Sequence, residues 1–236
     1  MRARSNFLKG IISGIPIALG YLSVSFAFGI QAVRSGLTGL QASIISLTNL
    51  TSAGQVAGVD IIAANGSLVE MAAVQLTINI RYALMGISLS QNLDSSFKLP
   101  QRLLAAYGIT DEIFAVCSTS KEPIKPSYMY GVIFISTLGW VSGTFIGGIA
   151  GQALPSSITA ALGIVIYGMF IAIIVPPSTK NKSILFTVIC AAALSIVCKF
   201  LLPMVSGGFS VVICAVLASV ISALIFPKSE DEEAAI

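Results

Sequence analysis

The chain has 236 residues, of which 56% are hydrophobic and only 10% are charged, and its net charge is +3. A soluble globular domain carries about 25% charged residues, so the composition excludes a water-soluble protein and indicates an integral membrane protein. The charges are scattered without a basic run, which argues against a nucleic-acid partner. The chain contains no histidine and its four cysteines lack CxxC spacing, so the sequence predicts no metal and no cofactor.

Long apolar runs predict seven spanning helices in a single integral membrane domain of residues 1–236. A span needs about 20 apolar residues, and the length leaves room for roughly six to eight spans. The runs lie at about residues 10–33, 35–59, 67–91, 126–179, 184–203 and 207–226. The run at 126–179 is long enough for two spans, and Gly151-Gln152-Ala153-Leu154-Pro155 divides it.

The stretch of about 92–125 holds several charges and separates two halves of the chain. Its semi-apolar part, about 103–120, is too short to span, so we predict a re-entrant or interfacial helix there. The first half, about 10–91, and the second half, about 126–203, each hold three predicted spans, and the last span, about 207–226, follows. Halves with an odd number of spans are inverted relative to each other in many transporters, so we predict inverted three-helix repeats.

The basic residues of this seven-span topology favour an outside N-terminus. Eight lie on one side: Arg34, Lys98, Arg102, Lys121, Lys125, Lys180, Lys182 and Lys228. Four lie on the other side: Arg2, Arg4, Lys9 and Lys199. Because the more basic side of a membrane protein is normally cytoplasmic, the topology predicts an outside N-terminus and an inside C-terminus.

The second predicted span has a polar middle that contains Asn49, Ser52, Gly54 and Gln55. Lipid penalises each unpaired polar group, so this segment must face protein or water. One interpretation is a discontinuous helix that forms a binding site, because hydroxyls and glycine suit an interrupted helix. The other is close helix packing by small polar residues. Asn49 and Gln55 are larger than packing requires, which favours the discontinuous helix.

The third predicted span carries a polar stripe and a charge near its middle. Gln75, Asn79 and Tyr82 share one helical face, which indicates that this face lies against protein or a cavity. Arg81 lies at bilayer depth, where a charge is costly and marks a functional residue by default. The planar guanidinium group of Arg81 can bind a carboxylate through two hydrogen bonds. A substrate carboxylate and a structural acid at 111–112 are equally compatible with the sequence.

Thr110, Asp111 and Glu112 precede a short apolar run in the charged stretch. In one interpretation Thr110 caps a helix and both acids occupy its first turn, where they complement the helix dipole. In the other, Asp111 or Glu112 faces a cavity and contacts a substrate ammonium group or carries a coupling proton. Acids are the usual proton carriers inside membranes when histidine is absent.

Four glycines are spaced by four residues, at Gly139, Gly143, Gly147 and Gly151. Such a stripe lets a second helix approach closely, so it predicts helix packing. The sequence contains no GxSxG, HExxH or Walker motif, and nothing in it indicates an enzyme or a catalytic residue.

Three motifs of the chain, taken together, resemble a known family. They are Ser52-Ala53-Gly54-Gln55-Val56-Ala57, Asn79-Ile80-Arg81-Tyr82-Ala83-Leu84-Met85-Gly86-Ile87-Ser88-Leu89-Ser90 and Thr110-Asp111-Glu112-Ile113-Phe114-Ala115. Their order and spacing resemble those of the AzlC family of branched-chain amino acid permeases, and the resemblance extends over about residues 7–225.

The resemblance implies a multi-pass subunit of a secondary transporter in the plasma membrane of a bacterium. It implies proton-coupled export of leucine, isoleucine, valine and analogues, together with a small AzlD-type membrane partner in the lipid bilayer. In that function, the backbone near Gly54 and the side chain of Arg81 would hold the substrate carboxylate. Asp111 or Glu112 would hold the ammonium group.

An accessory function is the alternative to transport. In that case the polar interior only holds helices together, and the subunit has no transport pathway of its own. The two functions differ in whether Gln55, Asn79, Arg81 and Asp111 converge on a cavity that solvent can reach.

Overall fold

The computed structural model describes residues 2–120, 122–153, 155, 157, 168, 171 and 174–227, which are mostly helical. The helices are α1 (Arg2–Arg34), α2 (Gly39–Thr48), α3 (Ser52–Ala63), α4 (Leu68–Ser90), α5 (Leu99–Tyr107), α6 (Asp111–Ser118), α7 (Pro126–Ala153), α8 (Lys182–Leu201) and α9 (Gly207–Ile225). Residues 174–180 are also helical. The β-type pairing in this part of the chain is limited to an isolated parallel bridge between Leu93 and Ile124. The predicted all-α class is confirmed.

Five helices in the described residues are long and apolar enough to cross a membrane. Their crossing segments are Ser5–Arg34, Leu68–Ser90, Pro126–Gly151, Lys182–Leu201 and Gly207–Ile225. This arrangement confirms a polytopic membrane protein. The span predicted in the second part of 126–179 lies mostly outside the described residues. The inverted three-helix repeat depends on that span and stays a prediction.

Helices α1 and α7 run parallel in very close contact. Three glycines of α7 would collide with carbonyl oxygens of α1 if they carried a Cβ atom: Gly139 with Ala18, Gly143 with Leu22 and Gly147 with Phe26. A Cβ on Gly151 would lie 3.2 Å from the Cα of Ile30, which is a tight contact. Successive contacts are four residues apart on both helices. All four glycines predicted to pack therefore lie along one line of contact between the two parallel helices.

Helices α2 and α3 form a re-entrant hairpin. α2 begins near the end of α7, where Gly39 packs against the α7 backbone. α3 returns to that same end, where the amide of Gln31 in α1 donates to Asp60 at 3.4 Å. Between the two helices, Asn49 and Thr51 have extended backbone and form the tip. Both ends of the hairpin therefore lie at one end of the bundle.

The predicted crossing at 35–59 is therefore wrong, although its predicted interruption is present. α2 has 10 residues and α3 has 12. At about 1.5 Å per residue each reaches roughly 15–18 Å, about half of a 30 Å hydrocarbon core. The side chain of Thr51 accepts from the amide of Gly54 and caps α3. The polar residues that interrupt the apolar run thus start a second helix, which turns back.

Helices α5 and α6 form a second re-entrant hairpin from the opposite end of the bundle. The carbonyl oxygen of Gln101 in α5 accepts a hydrogen bond from Tyr130, near the start of α7, at 3.0 Å. After α6 the chain returns to that end, where Ile124 pairs with Leu93 just before α5. Thr110 lies at the tip and caps α6 through its side chain.

The two hairpins repeat one pattern in opposite directions. A long helix precedes a hairpin twice, first as α1 with α2–α3 and then as α4 with α5–α6, in the inverted sense common in transporters. The re-entrant alternative predicted for 103–120 is found, but as two helices because residues 108–110 interrupt it. The two tips contact each other, because the hydroxyl of Tyr107 donates to the carbonyl oxygen of Leu47.

Basic residues of the described chain concentrate at the end of the bundle where α1 and α7 begin, which we call the basic end. This end carries Arg2, Arg4, Lys9, Lys98, Arg102, Lys125, Lys180 and Lys182, whereas the opposite end carries Arg34 and Lys199. The positive-inside rule makes the basic end cytoplasmic. This is the reverse of the predicted outside N-terminus, because a hairpin that turns back moves every following span to the other side.

Candidate functional site: a cavity between two hairpin tips

A cavity of about 300 Å³ lies where the two hairpin tips meet, and we call it the central cavity. It is lined by Pro16, Ile17, Gly20, Tyr21, Ser23, Val24, Leu50, Ser52, Tyr82, Thr110, Asp111, Glu112 and Trp140. Tyr21, Tyr82 and Trp140 lie close to the middle of their spans, so the cavity lies at about mid-bilayer. Its volume is at the small end of the range for ligand pockets, about 300–1,000 Å³, which suits one small molecule.

Two helix N-termini meet this cavity, because α3 begins at Ser52 and α6 begins at Asp111. The first amides of a helix have no intrahelical partner, and they carry the positive end of the helix dipole. Thr51 and Thr110 each cap one amide of the following helix. The remaining amides at these two helix starts provide donors for an anionic group.

Tyr21 joins α1 to the start of α6. Its hydroxyl lies 2.6 Å from Oε2 of Glu112 and 2.6 Å from Oγ1 of Thr110. The ring packs edge-on against Trp140, with centroids 5.2 Å apart. Tyr21 therefore orients the Glu112 carboxylate, and its aromatic ring forms part of the apolar wall.

Arg81 forms an ion pair with Asp111. Its Nη2 lies 2.8 Å from Oδ2 of Asp111, and the two side chains are 40% and 32% exposed. The guanidinium also lies over the ring of Tyr82, with Cζ 5.1 Å from the centroid. Of the two partners compatible with the sequence, the structure shows the acid, and Arg81 itself does not line the central cavity. Asp111 is thus partly neutralised, whereas Glu112 has no cationic partner among the described side chains.

A buried polar chain supports the cavity wall behind Trp140. The indole Nε1 of Trp140 donates to Oε1 of Gln55 at 2.9 Å. The amide nitrogen of Gln55 donates to the hydroxyl of Ser46 at 3.2 Å, and that hydroxyl lies 2.7 Å from the hydroxyl of Thr144. Gln55 is only 1% exposed. It fixes Trp140 and the hairpin tip, and it does not reach the cavity.

The predicted site residues therefore divide into two groups. Those that line the central cavity are Ser52, Tyr82, Thr110, Asp111 and Glu112. The others lie around it: Gln55 lies behind the wall, Asn49 lies at the hairpin tip, Gly54 and Asn79 lie between α3 and α4, and Arg81 pairs with Asp111. Of the four residues whose convergence was to distinguish transport from an accessory function, Asp111 alone lines the cavity.

Sequence reasoning missed eight of the residues that line this cavity, including Tyr21, Trp140 and Leu50. Tyr21 and Trp140 lie inside long uncharged runs, where an aromatic residue with a polar end is a weak signal of a hydrogen-bonding position. Leu50 is an ordinary apolar residue, and its role follows from the turn between α2 and α3.

Comparison with known proteins agrees with the helical membrane architecture. Residues 16–154, more than half of the chain, match the family model described as AzlC protein. The chain belongs to the AzlC family.

The resemblance seen in the three motifs is thereby confirmed. The match contains both hairpins, α4 and the described cavity residues, so the family model includes the whole central cavity.

Curated relatives of this AzlC protein are membrane proteins. It is 28% identical over 227 residues to the inner membrane protein YgaZ of Escherichia coli K12, covering 93% of this chain and 91% of the relative. It is 30% identical over 172 residues to an uncharacterized membrane protein of Archaeoglobus fulgidus, covering 72% and 75%. A membrane protein of Helicobacter pylori is 25% identical over 202 residues, covering 79% and 87%. No solved structure matches the chain. These findings are consistent with a role related to membrane transport.

Proposed function

We propose that the chain is the large subunit of a secondary transporter that exports branched-chain amino acids. In this proposal it acts with a small AzlD-type membrane partner in the bacterial plasma membrane, and a proton gradient drives it. The observation that carries the proposal is the central cavity, which two opposing hairpin tips enclose at about mid-bilayer. Interrupted helices around a midplane cavity are typical of secondary transporters. Of the four residues that were to distinguish transport from an accessory function, only Asp111 lines this cavity, so the proposal rests on the cavity itself and not on their convergence.

The cavity offers separate places for the two charges of an amino acid. The start of α3 at Ser52 provides free amides and a hydroxyl, which suit the substrate carboxylate. Glu112 suits the ammonium group, because its carboxylate accepts from Tyr21 and has no cationic partner among the described residues. Asp111 already pairs with Arg81. Of the two predicted acids, we therefore assign the ammonium contact to Glu112.

Apolar side chains of the lining suit a branched hydrocarbon. Ile17, Val24, Leu50 and Trp140 all line the central cavity. Burying a Leu-sized side chain is favourable by about 1.5–3 kcal/mol, so this wall adds affinity for leucine, isoleucine and valine. The small volume limits the site to one such molecule.

Proton coupling is assigned to the acid pair of 111–112, and it rests on two observations. Both acids line the cavity, and the chain has no histidine to carry a proton. A proton that displaces the substrate ammonium from a carboxylate links substrate release to the proton gradient.

Vesicles that contain the purified chain and its AzlD-type partner test the proposal. We expect labelled leucine to leave the vesicles faster with both proteins than with either one alone, and unlabelled isoleucine and valine to compete. Glu112→Gln should abolish this flux. The matched control is Glu122→Gln, an exposed acid outside the cavity. Leucine flux equal to that of protein-free vesicles would contradict the proposal.

A further inference from the structure

A second cavity, of about 280 Å³, lies at the end of the bundle opposite the basic end, and we call it the end cavity. It lies between the last turns of α3, the start of α4 and the start of α9. Ala57 lines it from α3, Glu70 and Val74 line it from α4, and Gly207 lines it from α9. Asp60 also lines the end cavity and is exposed, so the cavity reaches the protein surface at Asp60.

Glu70 is a buried acid with one occupied oxygen and one free oxygen. The residue is only 6% exposed. Its Oε1 accepts from the amide of Gly208 at 3.0 Å and from the hydroxyl of Ser206, so the carboxylate caps α9 and is stabilised by the helix dipole. Within the described part of the chain, no group donates to Oε2. A buried carboxylate with a free oxygen beside a cavity is suited to a cationic group.

A row of polar residues between α3 and α4, which we call the polar seam, lies between the central cavity and the end cavity. On α4, Tyr82 lines the central cavity and Glu70 lines the end cavity, and Gln75 and Asn79 lie between them. The amide nitrogen of Gln75 donates to the carbonyl oxygen of Gly54 in α3 at 2.7 Å. Its oxygen accepts from the amide nitrogen of Asn79 at 3.0 Å.

Asn79 presents an unused acceptor inside this seam. Its Oδ1 is buried and has no hydrogen-bond partner among the described residues. A buried acceptor without a donor destabilises the protein. A ligand with N–H donors would remove this cost as it passes. The seam therefore offers an ammonium group one acceptor midway, at Asn79, and a carboxylate at its end, at Glu70.

We infer that the end cavity is a binding site at the exterior end of the transport path, where Oε2 of Glu70 receives the ammonium group of the substrate. The inference rests on the proposed function. The substrate passes from the central cavity along the seam of Gly54, Gln75 and Asn79. Because the basic end is cytoplasmic, the end cavity opens on the exterior side, which is the direction that export requires.

Gly58 of α3 is the position at which a side chain would close the seam. A Cβ there would lie 3.3 Å from the amide nitrogen of Gln75 and 3.6 Å from the sulfur of Met71. Both are ends of flexible side chains, so Gly58→Leu should fold while it fills the seam. Ala63→Leu is the matched control, because it adds the same side chain to the exposed face of the same helix.

The first experiment compares these two variants in leucine efflux from vesicles and in the thermal stabilisation of the purified protein by leucine. Gly58→Leu should lower efflux at least about tenfold and keep the stabilisation, because the central cavity is unchanged. Ala63→Leu should behave like wild type in both. Equal efflux through the two variants overturns the seam as the path. Loss of leucine stabilisation in Gly58→Leu also overturns it, since the seam would then belong to the central site.

The second experiment removes the charge of Glu70. Glu70→Gln keeps an oxygen that accepts from Ser206 and Gly208, so we expect the variant to fold, with somewhat lower stability because the charge at the start of α9 is lost. It should keep the stabilisation by leucine and lower efflux at least about tenfold. Glu122→Gln, an exposed acid at the basic end, is the control. Wild-type efflux in Glu70→Gln overturns the assignment. If replacing sodium by choline lowers wild-type efflux as much as Glu70→Gln does, the cation is sodium and the ammonium assignment is wrong.

A thiol-labelling experiment tests the end cavity without leucine. Ala57→Cys should react with a charged, membrane-impermeant thiol reagent from the exterior, above the background of the native cysteines. Ala105→Cys, at a position that is 3% exposed in the core, should not react. An unreactive Ala57→Cys overturns the inference. If Ala57→Cys reacts while wild type neither moves leucine nor is stabilised by it, the proposed function has failed, and the ammonium assignment fails with it.

Discussion

The hydroxyl of Tyr21 lies 2.6 Å from Oε2 of Glu112 and joins the middle of α1 to the tip of the second hairpin. The two residues are 91 positions apart in sequence. A carboxylate held in this way has a fixed oxygen to present to a ligand, and a displaced hairpin would lose the bond. The position of the second hairpin therefore determines whether the Glu112 carboxylate keeps its hydrogen bond from Tyr21.

Tyr21→Phe should lower leucine transport while leaving the fold intact. The change removes the hydroxyl that contacts both Glu112 and Thr110, and it keeps the ring that packs on Trp140. A hydrogen bond to a charged group contributes about 1.5–3 kcal/mol. Transport in vesicles and thermal unfolding measure the two effects. Tyr130→Phe is the control, because its hydroxyl bonds to Gln101 at the base of the same hairpin. Equal losses in both variants would show that Tyr21 only stabilises the hairpin.

Removing either acid of the second hairpin tip should change the response to a pH gradient. Glu112→Gln should abolish gradient-driven leucine transport. Asp111→Asn should reduce it less and lower thermal stability, because it leaves Arg81 without its partner. The measurement is leucine efflux with and without an imposed pH gradient. If both variants keep full gradient-driven transport, neither acid carries the coupling proton.

Arg81→Lys should fold and transport leucine poorly. Lysine keeps the charge, but it loses the planar fork that faces Asp111 and stacks over Tyr82. Because both partners are about a third exposed, Arg81→Ala should cost only about 1 kcal/mol or less of stability where water reaches the pair. Thermal unfolding with and without leucine tests this. A loss of leucine stabilisation in Arg81→Ala with normal folding would assign Arg81 to the substrate carboxylate instead.

Gly143→Ala should lower the yield of folded protein. An added Cβ would collide with the Ser25 hydroxyl and the carbonyl oxygen of Leu22 on α1, so the parallel helices must separate. Gly86→Ala is the control, since its Cβ would meet only Ile109, at an ordinary 3.7 Å. Folded yield and thermal stability in detergent are the readouts. Equal yields of the two variants would contradict the packing role.

Trp140→Phe should destabilise the protein by about 1–3 kcal/mol, because it leaves the buried oxygen of Gln55 without its donor. Adding Gln55→Leu to this variant should recover part of the loss, because both polar partners are then removed. Thermal unfolding of the single and double variants tests the coupling. Additive losses would show that the two side chains act independently.

The sequence predicts the helices of this protein better than it predicts their paths through the membrane. Polar residues at Asn49 and Ser52 correctly mark an interruption in the second apolar run. They do not reveal whether the chain continues or turns back, because both paths satisfy the same local hydrogen bonds. The decision depends on contacts such as Ser46 with Thr144, which are 98 residues apart.

The same limit applies to the candidate site. Arg81 and Asp111 are recognisable as charges that need compensation, and their pairing was one of two predicted outcomes. Gln55 and Asn79 carry the same kind of polar signal, yet they lie outside the central cavity. Polarity within a span reports only that a residue avoids lipid. Which polar partner or cavity it meets is set by the packing of helices distant in sequence.

The polar contacts of the first hairpin also impose an order on biosynthesis. The tip is made early, yet its partner Thr144 lies 98 residues further along the chain than Ser46. At about 5–20 residues per second, the ribosome takes on the order of 5–20 s to supply it. During that interval the nascent hairpin has no α7 to pack against, and its buried amides and hydroxyls must remain with water or the insertion machinery. A polypeptide that stops before α7 therefore leaves this hairpin without a stable place in the bilayer.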